Sequence, residues 1–246
     1  MTTYREIETE VFDTLDAFTR GVADWLLAQA NAKQGRFAVA LSGGETPRPI
    51  YELLATAPYR DKFPWSRTHW FWGDERFVPH DDKRSNYHMT RDVMLSRAPI
   101  PAANVHPVPT EGITPEAAAA AYENELKAFY GADRLDNAKP LFDLQLLGLG
   151  PDGHTASLFP GTAVLAERHK WVAPVLDGKL EARITLTYPA VGSAACVAFL
   201  VAGVGKHEIV SRFLRGDASL PAVALASVGK MRLFADAAAA GTPVKS

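Results

Sequence analysis

Leu146-Leu-Gly-Leu-Gly-Pro-Asp-Gly-His-Thr-Ala-Ser-Leu-Phe-Pro160 joins an apolar run to a glycine-dense turn. Phe142, Leu144, Leu146 and Leu147 have strand composition, and the turn that follows presents Asp152 and His154, then Thr155 and Ser157. A strand ending in a tight turn that carries an acid and an imidazole is how an open α/β sheet builds a site at the carboxyl edge of its strands.

The same construction recurs on either side. Phe37–Leu41 runs into Ser42-Gly43-Gly44-Glu45-Thr46-Pro47, Thr68–Trp72 into Gly73-Asp74-Glu75-Arg76, and Ala195–Val201 into Gly203-Val-Gly205-Lys206. Leu141–Leu147, Trp171–Val175 and Arg183–Leu186 also read as strands. Between them lie helical stretches: Arg48 to Ala57, Tyr87 to Ser96, Pro115 to Tyr130 capped by Thr114, and one carrying Ile209, Val210, Phe213 and Leu214. Phe12, Leu15, Phe18, Val22, Trp25 and Leu26 recur at helical spacing and predict a long helix from Val11 to Ala32. The polar Gly73–Arg76 segment reads as a loop, and the alanine-rich end as irregular chain fraying after Ala240.

Apolar strands alternating with helices predict an α/β fold: a mostly parallel open sheet with helices on both faces, in one domain spanning 1–246. In such a sheet the four glycine-marked loops, at Ser42, Gly73, Gly148 and Gly203, meet along one edge.

Composition narrows the class. The 246 residues are 47% hydrophobic and 22% charged with net charge −2, ordinary for a soluble globular protein and without the basic surplus of a nucleic-acid binder. No apolar stretch is long enough to span a membrane, and the N-terminus shows no signal-peptide pattern. The single cysteine, Cys196, lies in an apolar run and reads as a core residue, with a cytoplasmic location expected. A monomer is plausible, and an oligomer is equally open.

Each loop offers chemistry. Gly43 and Gly44 let backbone N–H groups approach an anion, with Ser42 and Thr46 beside them, although the segment also reads as a plain tight turn. Arg76 suits a phosphate and Asp74 a sugar hydroxyl or the orientation of a catalytic group; Asn86 adds an amide nearby. Gly148-Leu-Gly-Pro-Asp-Gly153 matches a dinucleotide fingerprint literally, but it lies past mid-chain and leads into Asp-Gly-His rather than a helix, so no nicotinamide is expected. His154 is the candidate general base. Lys206 and Arg183 are cations at strand ends, where surface charge is the competing reading. The remaining histidines show no zinc-ligand spacing, and no metal or other cofactor is expected.

Taken in order, Ser42-Gly-Gly-Glu-Thr-Pro47, Trp72-Gly-Asp-Glu-Arg-Phe-Val78, Ser85-Asn86, Gly148 to Pro160, Arg183-Ile-Thr-Leu-Thr187 and Gly203 to Lys206 resemble the 6-phosphogluconolactonases. The resemblance implies a three-layer α/β fold shared with glucosamine-6-phosphate deaminases and ribose-5-phosphate isomerases. It also implies hydrolysis of a phosphorylated sugar lactone without a metal. His154 would be the base, with Asp152 or Asp74 orienting it. Arg76, Arg183, Lys206 and the backbone of Gly43, Gly44 and Thr46 would hold the phosphate, with Ser42 and Asn86 as further substrate contacts. The deaminases carry a glutamate five positions after the histidine, where this chain has Phe159. A sugar-phosphate sensor is the non-catalytic alternative, but the sequence before the first predicted strand offers one helix and no partner for it.

Overall fold

The computed structural model describes residues 7–241. Its strands are β1 (Ile7–Phe12), β2 (Phe37–Leu41), β3 (Thr68–Trp72), β4 (Asp74–Arg76), β5 (Phe142–Leu147), β6 (Val172–Val175), β7 (Arg183–Leu186), β8 (Ala194–Val201) and β9 (Lys230–Asp236). The α-helices are α1 (Leu15–Ala32), α2 (Arg48–Leu54), α3 (Tyr59–Lys62), α4 (Asn86–Thr90), α5 (Pro115–Tyr130), α6 (Tyr188–Gly192), α7 (His207–Leu214) and α8 (Ala237–Ala240).

Six strands form one sheet in the order β1-β9-β8-β5-β2-β3, and every pairing in it is parallel. All five residues of β2 are buried, as expected of a parallel strand covered on both faces. Strand alternation sets what each face meets. His69 and Phe71 of β3 meet Phe129 of α5, with ring centroids 5.0 and 4.7 Å apart. Trp70 and Trp72 point the other way, to Phe63 at 5.7 Å and Tyr87 at 5.4 Å. The register carries the Phe71 face through Ala40 and Gln145, and Leu147 on that face pairs with Phe199, which packs on Phe213 of α7 at 4.7 Å. Phe234, on the opposite face, meets Trp25 of α1 at 4.9 Å. Helix, sheet and helix thus form three layers.

Two strands of this sheet depart from the sequence reading. The stretch at Val11 is not the start of a helix: β1 runs through Phe12, and α1 begins at Leu15 behind a Thr14 cap whose hydroxyl accepts from Ala17 N at 3.1 Å. β1 is an edge strand, and its polar residues pair across to β9, with Glu8 3.4 Å and Glu10 3.2 Å from the Arg232 guanidinium. The alanine-rich end likewise contains β9, sandwiched between β1 and β8, before α8. The tail expected to fray lies mostly beyond the described residues, as does most of the segment searched for a signal peptide.

A second, three-stranded antiparallel sheet has the order β4-β7-β6. The Asp74–Arg76 segment is therefore a strand rather than a loop. Gly73 is the joint between β3 and β4: its N–H still bonds Leu41 O at 2.9 Å, and a Cβ there would lie 2.8 Å from Gln145 Nε2. Among the described residues, no helix is long and apolar enough to cross a membrane.

The chain leaves β2 outward to the edge strand β3 and returns on the other side of β2 as β5. The next strand of the six-stranded sheet, β8, lies beyond β5, so the loops after the adjacent strands β2 and β5 diverge, which opens a crevice at their carboxyl ends.

Candidate active site

That crevice is a cleft of about 460 Å³, lined by all four glycine-marked loops and by the small sheet. Ser42, Gly43, Gly44, Thr46, Asp74, Arg76, Asn86, His154, Arg183 and Lys206 all face it. Asp152 sits behind His154 rather than on the wall.

The first loop is anchored by Tyr51, whose buried hydroxyl accepts from Ser42 N at 3.1 Å and donates to Ser42 O at 2.9 Å. Among the described residues the N–H groups from Gly43 to Thr46 have no acceptor, which leaves them for a ligand. Gly44 has φ +100°, a conformation that favours glycine.

Glu75, fully buried in β4, organises the second wall. Its carboxylate accepts from Arg76 N and Asn86 N at 2.7 Å, Tyr87 N at 2.8 Å and Ser85 Oγ at 3.0 Å. Burial pushes its carboxyl above the ordinary range, and the backbone N–H bonds pull the other way. The result places Asn86, whose amide donates to Asp74 O at 2.8 Å while its buried Oδ1 has no partner. Asp74 accepts from Ser157 Oγ at 2.6 Å, so it ties the small sheet to the focal loop and does not touch the imidazole. Arg76 and Arg183 stand opposite each other in the β4–β7 register. Burial, then the neighbouring Arg76 charge, lowers the Arg183 pKa, and its buried Nε lacks an acceptor. Two crowded guanidiniums suit a multiply charged anion.

The focal loop folds tightly on itself: Gly150 N donates to His154 O at 2.8 Å and Gly153 N to Gly150 O at 2.9 Å. Its crowding explains Gly150, where a Cβ would lie 2.1 Å from His154 Nδ1. Asp152 Oδ1 accepts from His154 Nδ1. Partial burial opposes ionisation of Asp152, but the hydrogen bond and charge of His154 outweigh it, so the carboxyl titrates below its ordinary value. With the Nδ1 proton held by Asp152, Nε2 carries the lone pair. Lys206 donates to Leu149 O at 2.6 Å; burial lowers its pKa while Asp152 acts in the opposite sense.

Cys196 is a core residue, its thiol pushed up to about 11 by burial. Sequence reading missed Lys179 and Glu45, which also line the cleft, and the supporting part played by Glu75. Lys179 lies in Asp177-Gly-Lys-Leu-Glu181, whose sequence signals a turn and nothing more.

A family model described as glucosamine-6-phosphate isomerases/6-phosphogluconolactonase matches residues 13–233. The chain belongs to this family. A relative from Synechocystis sp., named 6-phosphogluconolactonase, is 43% identical over 192 residues, which is 78% of this chain and 77% of the relative. The crystal structure of 6-phosphogluconolactonase from Thermotoga maritima superposes with a TM-score of 0.81 at 32% identity, covering 94% of this chain and all of that one. A monomeric glucosamine-6-phosphate deaminase superposes with a TM-score of 0.79 at 19% identity, and so shares the fold alone. Within the family, the residue five places after the histidine is here Phe159, a buried ring 4.7 Å from the His154 ring, where it supplies no carboxylate.

Proposed function

We propose that this chain hydrolyses 6-phospho-D-glucono-1,5-lactone to 6-phospho-D-gluconate, the lactone-opening step of the oxidative pentose phosphate pathway. The observation that carries the reading is His154, with Nδ1 fixed by Asp152, in one cleft with Arg76, Arg183, Lys206 and the unbonded N–H groups of the Gly43–Thr46 loop. Its resemblance to family members that carry the lactonase name supports the substrate.

The chemistry needs no covalent nucleophile, because a lactone carbonyl is already electrophilic. His154 Nε2 takes a proton from water as the water oxygen bonds to C1, and the carbonyl electron pair moves onto its oxygen. As that pair returns, the C1–O bond to the ring oxygen breaks, and the imidazolium gives its proton to the leaving oxygen. Asp152 holds the tautomer and stabilises the imidazolium. The N–H groups of Gly153 and His154 are already bonded within the turn, so the Gly43–Thr46 loop is the better source of donors for the ligand's anionic oxygens. The arginine pair anchors the phosphate and holds the ring over the base. A cytoplasmic location belongs to the same proposal.

The test is to follow loss of the lactone, generated in situ, by NMR at near-neutral pH with EDTA present. Acceleration above the spontaneous rate is expected. Release of ammonia from glucosamine 6-phosphate without lactone turnover would replace this reading with the deaminase one.

A further inference from the structure

We infer that Lys179 is the cation for the C1 end of the ligand: it meets the oxygen that turns anionic on attack, and then the carboxylate of the opened acid. This rests on the lactonase reading above, and it adds a specificity-determining residue that sequence analysis did not mark.

Lys179 sits on the turn between β6 and β7. Gly178 brings that turn down on the focal loop: a Cβ at Gly178 would lie 2.3 Å from the Phe159 ring, so the backbone packs directly against it. The Lys179 ammonium lies 5.0 Å from the centroid of the same ring and 3.9 Å from Asp152 Oδ2. Phe159 in turn stands 4.7 Å from the His154 ring, and the other oxygen of Asp152 holds His154. Lys179 therefore belongs to the side of the cleft where the base works. The base must stand over the carbon that water attacks, so a cation beside it faces the oxygens on that carbon.

The other cations of the cleft are committed differently. Arg76 donates to Arg84 O, Arg183 contacts Glu181 at 3.4 Å, and Lys206 donates to Leu149 O. The Lys179–Asp152 distance exceeds that of a hydrogen bond, and the side chain is about half exposed. The ammonium is free to turn to a ligand while Asp152 keeps its bond to His154. The ligand has two anionic ends after ring opening; Arg76 and Arg183 stand paired across β4 and β7, while Lys179 stands beside Asp152.

The experiment compares two ligands in wild type and in Lys179→Met, Lys179→Arg and Arg183→Met, by calorimetric binding and by inhibition of lactone turnover. The first ligand is 6-phosphogluconate, which carries a phosphate and a C1 carboxylate. The second is 1,5-anhydroglucitol 6-phosphate, which keeps the ring and the phosphate but has no exocyclic oxygen at C1. Lys179→Met is expected to weaken 6-phosphogluconate about tenfold, the scale of one charge-assisted contact, and to leave the anhydroglucitol phosphate within about twofold. Lys179→Arg is expected to recover most of the loss, and Arg183→Met to weaken both ligands. Equal weakening of both by Lys179→Met would put Lys179 on the phosphate and overturn the inference. So would unchanged binding of both. Wild-type protein that binds both ligands but does not turn over the lactone would instead overturn the lactonase reading.

Discussion

At the scale of single residues, Gly43 shows how the cleft depends on an absent methyl group. A Cβ there would fall 1.8 Å from Asn86 Oδ1, inside the space the buried amide occupies. Gly43→Ala must push that amide off the wall, so KM for the lactone should rise, with a stability loss of about 1–3 kcal/mol from overpacking. Steady-state kinetics and urea unfolding would read both, and an unchanged KM would remove Asn86 from substrate contact. His154 is the residue on which the chemistry turns. His154→Ala should lower kcat by roughly 10²–10⁴ with little change in KM, the usual scale for a general base. Near-wild-type turnover would take His154 out of that role.

At the scale of elements, β4 carries the second wall: its pairing with β7 makes it a strand, and the Glu75 carboxylate fixes its neighbours. One fully buried carboxylate satisfies three backbone N–H groups and a hydroxyl. An amide in its place keeps one acceptor oxygen and turns an NH2 group toward donors. Glu75→Gln should therefore leave buried donors unpaired, costing about 1–3 kcal/mol for each, and should disturb Arg76 and Asn86 together. The expected result is a lower urea midpoint with a raised KM; full stability would show that the carboxylate is dispensable. Sequence reading took Asp74–Arg76 for a loop because three charged residues in a row carry no strand periodicity. Their pairing partner, Arg183–Leu186, lies about a hundred residues away, and nothing local announces it. By contrast, α5 was readable end to end: Thr114 accepts from Ala117 N at 3.3 Å, Pro115 occupies the first turn, and Gly131 closes the helix at φ 82°.

At the scale of the whole molecule, the far end of the sheet carries a histidine cluster that ties β3, α5 and the preceding connection together. His69 Nδ1 and His106 Nε2 are 3.0 Å apart, His106 Nδ1 lies 2.7 Å from Glu125, and Arg36 covers Phe129 beside them. Burial first, then the charges of His106 and Arg36, lowers the His69 pKa from 6.5 to about 4. Between those values the unfolded chain binds the proton and the folded one does not. The stabilising contribution is thus complete above the unfolded value and is lost as pH falls through that window. Urea midpoints measured from pH 7 down to 4 should fall for wild type and fall less steeply for His69→Gln. An identical slope would show that other groups set the acid limit.

The strands β2, β3, β5, β6, β7 and β8, the helices α1, α2, α4, α5 and α7, and the loop residues that reach the cleft other than Glu45 and Lys179 were legible in the sequence. Each depends on a local cause: an apolar run, a helical period, a cap, or a glycine where the chain turns. Local sequence could not order the strands, because parallel pairing joins segments far apart in the chain. The edge strand β1 was hidden because its polar residues are satisfied by Arg232 and Lys230 of β9, and β9 itself because its neighbours are β1 and β8. Tertiary structure alone separated the two candidate acids, giving Asp152 to His154 and Asp74 to Ser157. It also brought Lys179 to the base, since a charged residue in a surface turn acquires a role only when packing, here Gly178 against Phe159, sets where the turn points.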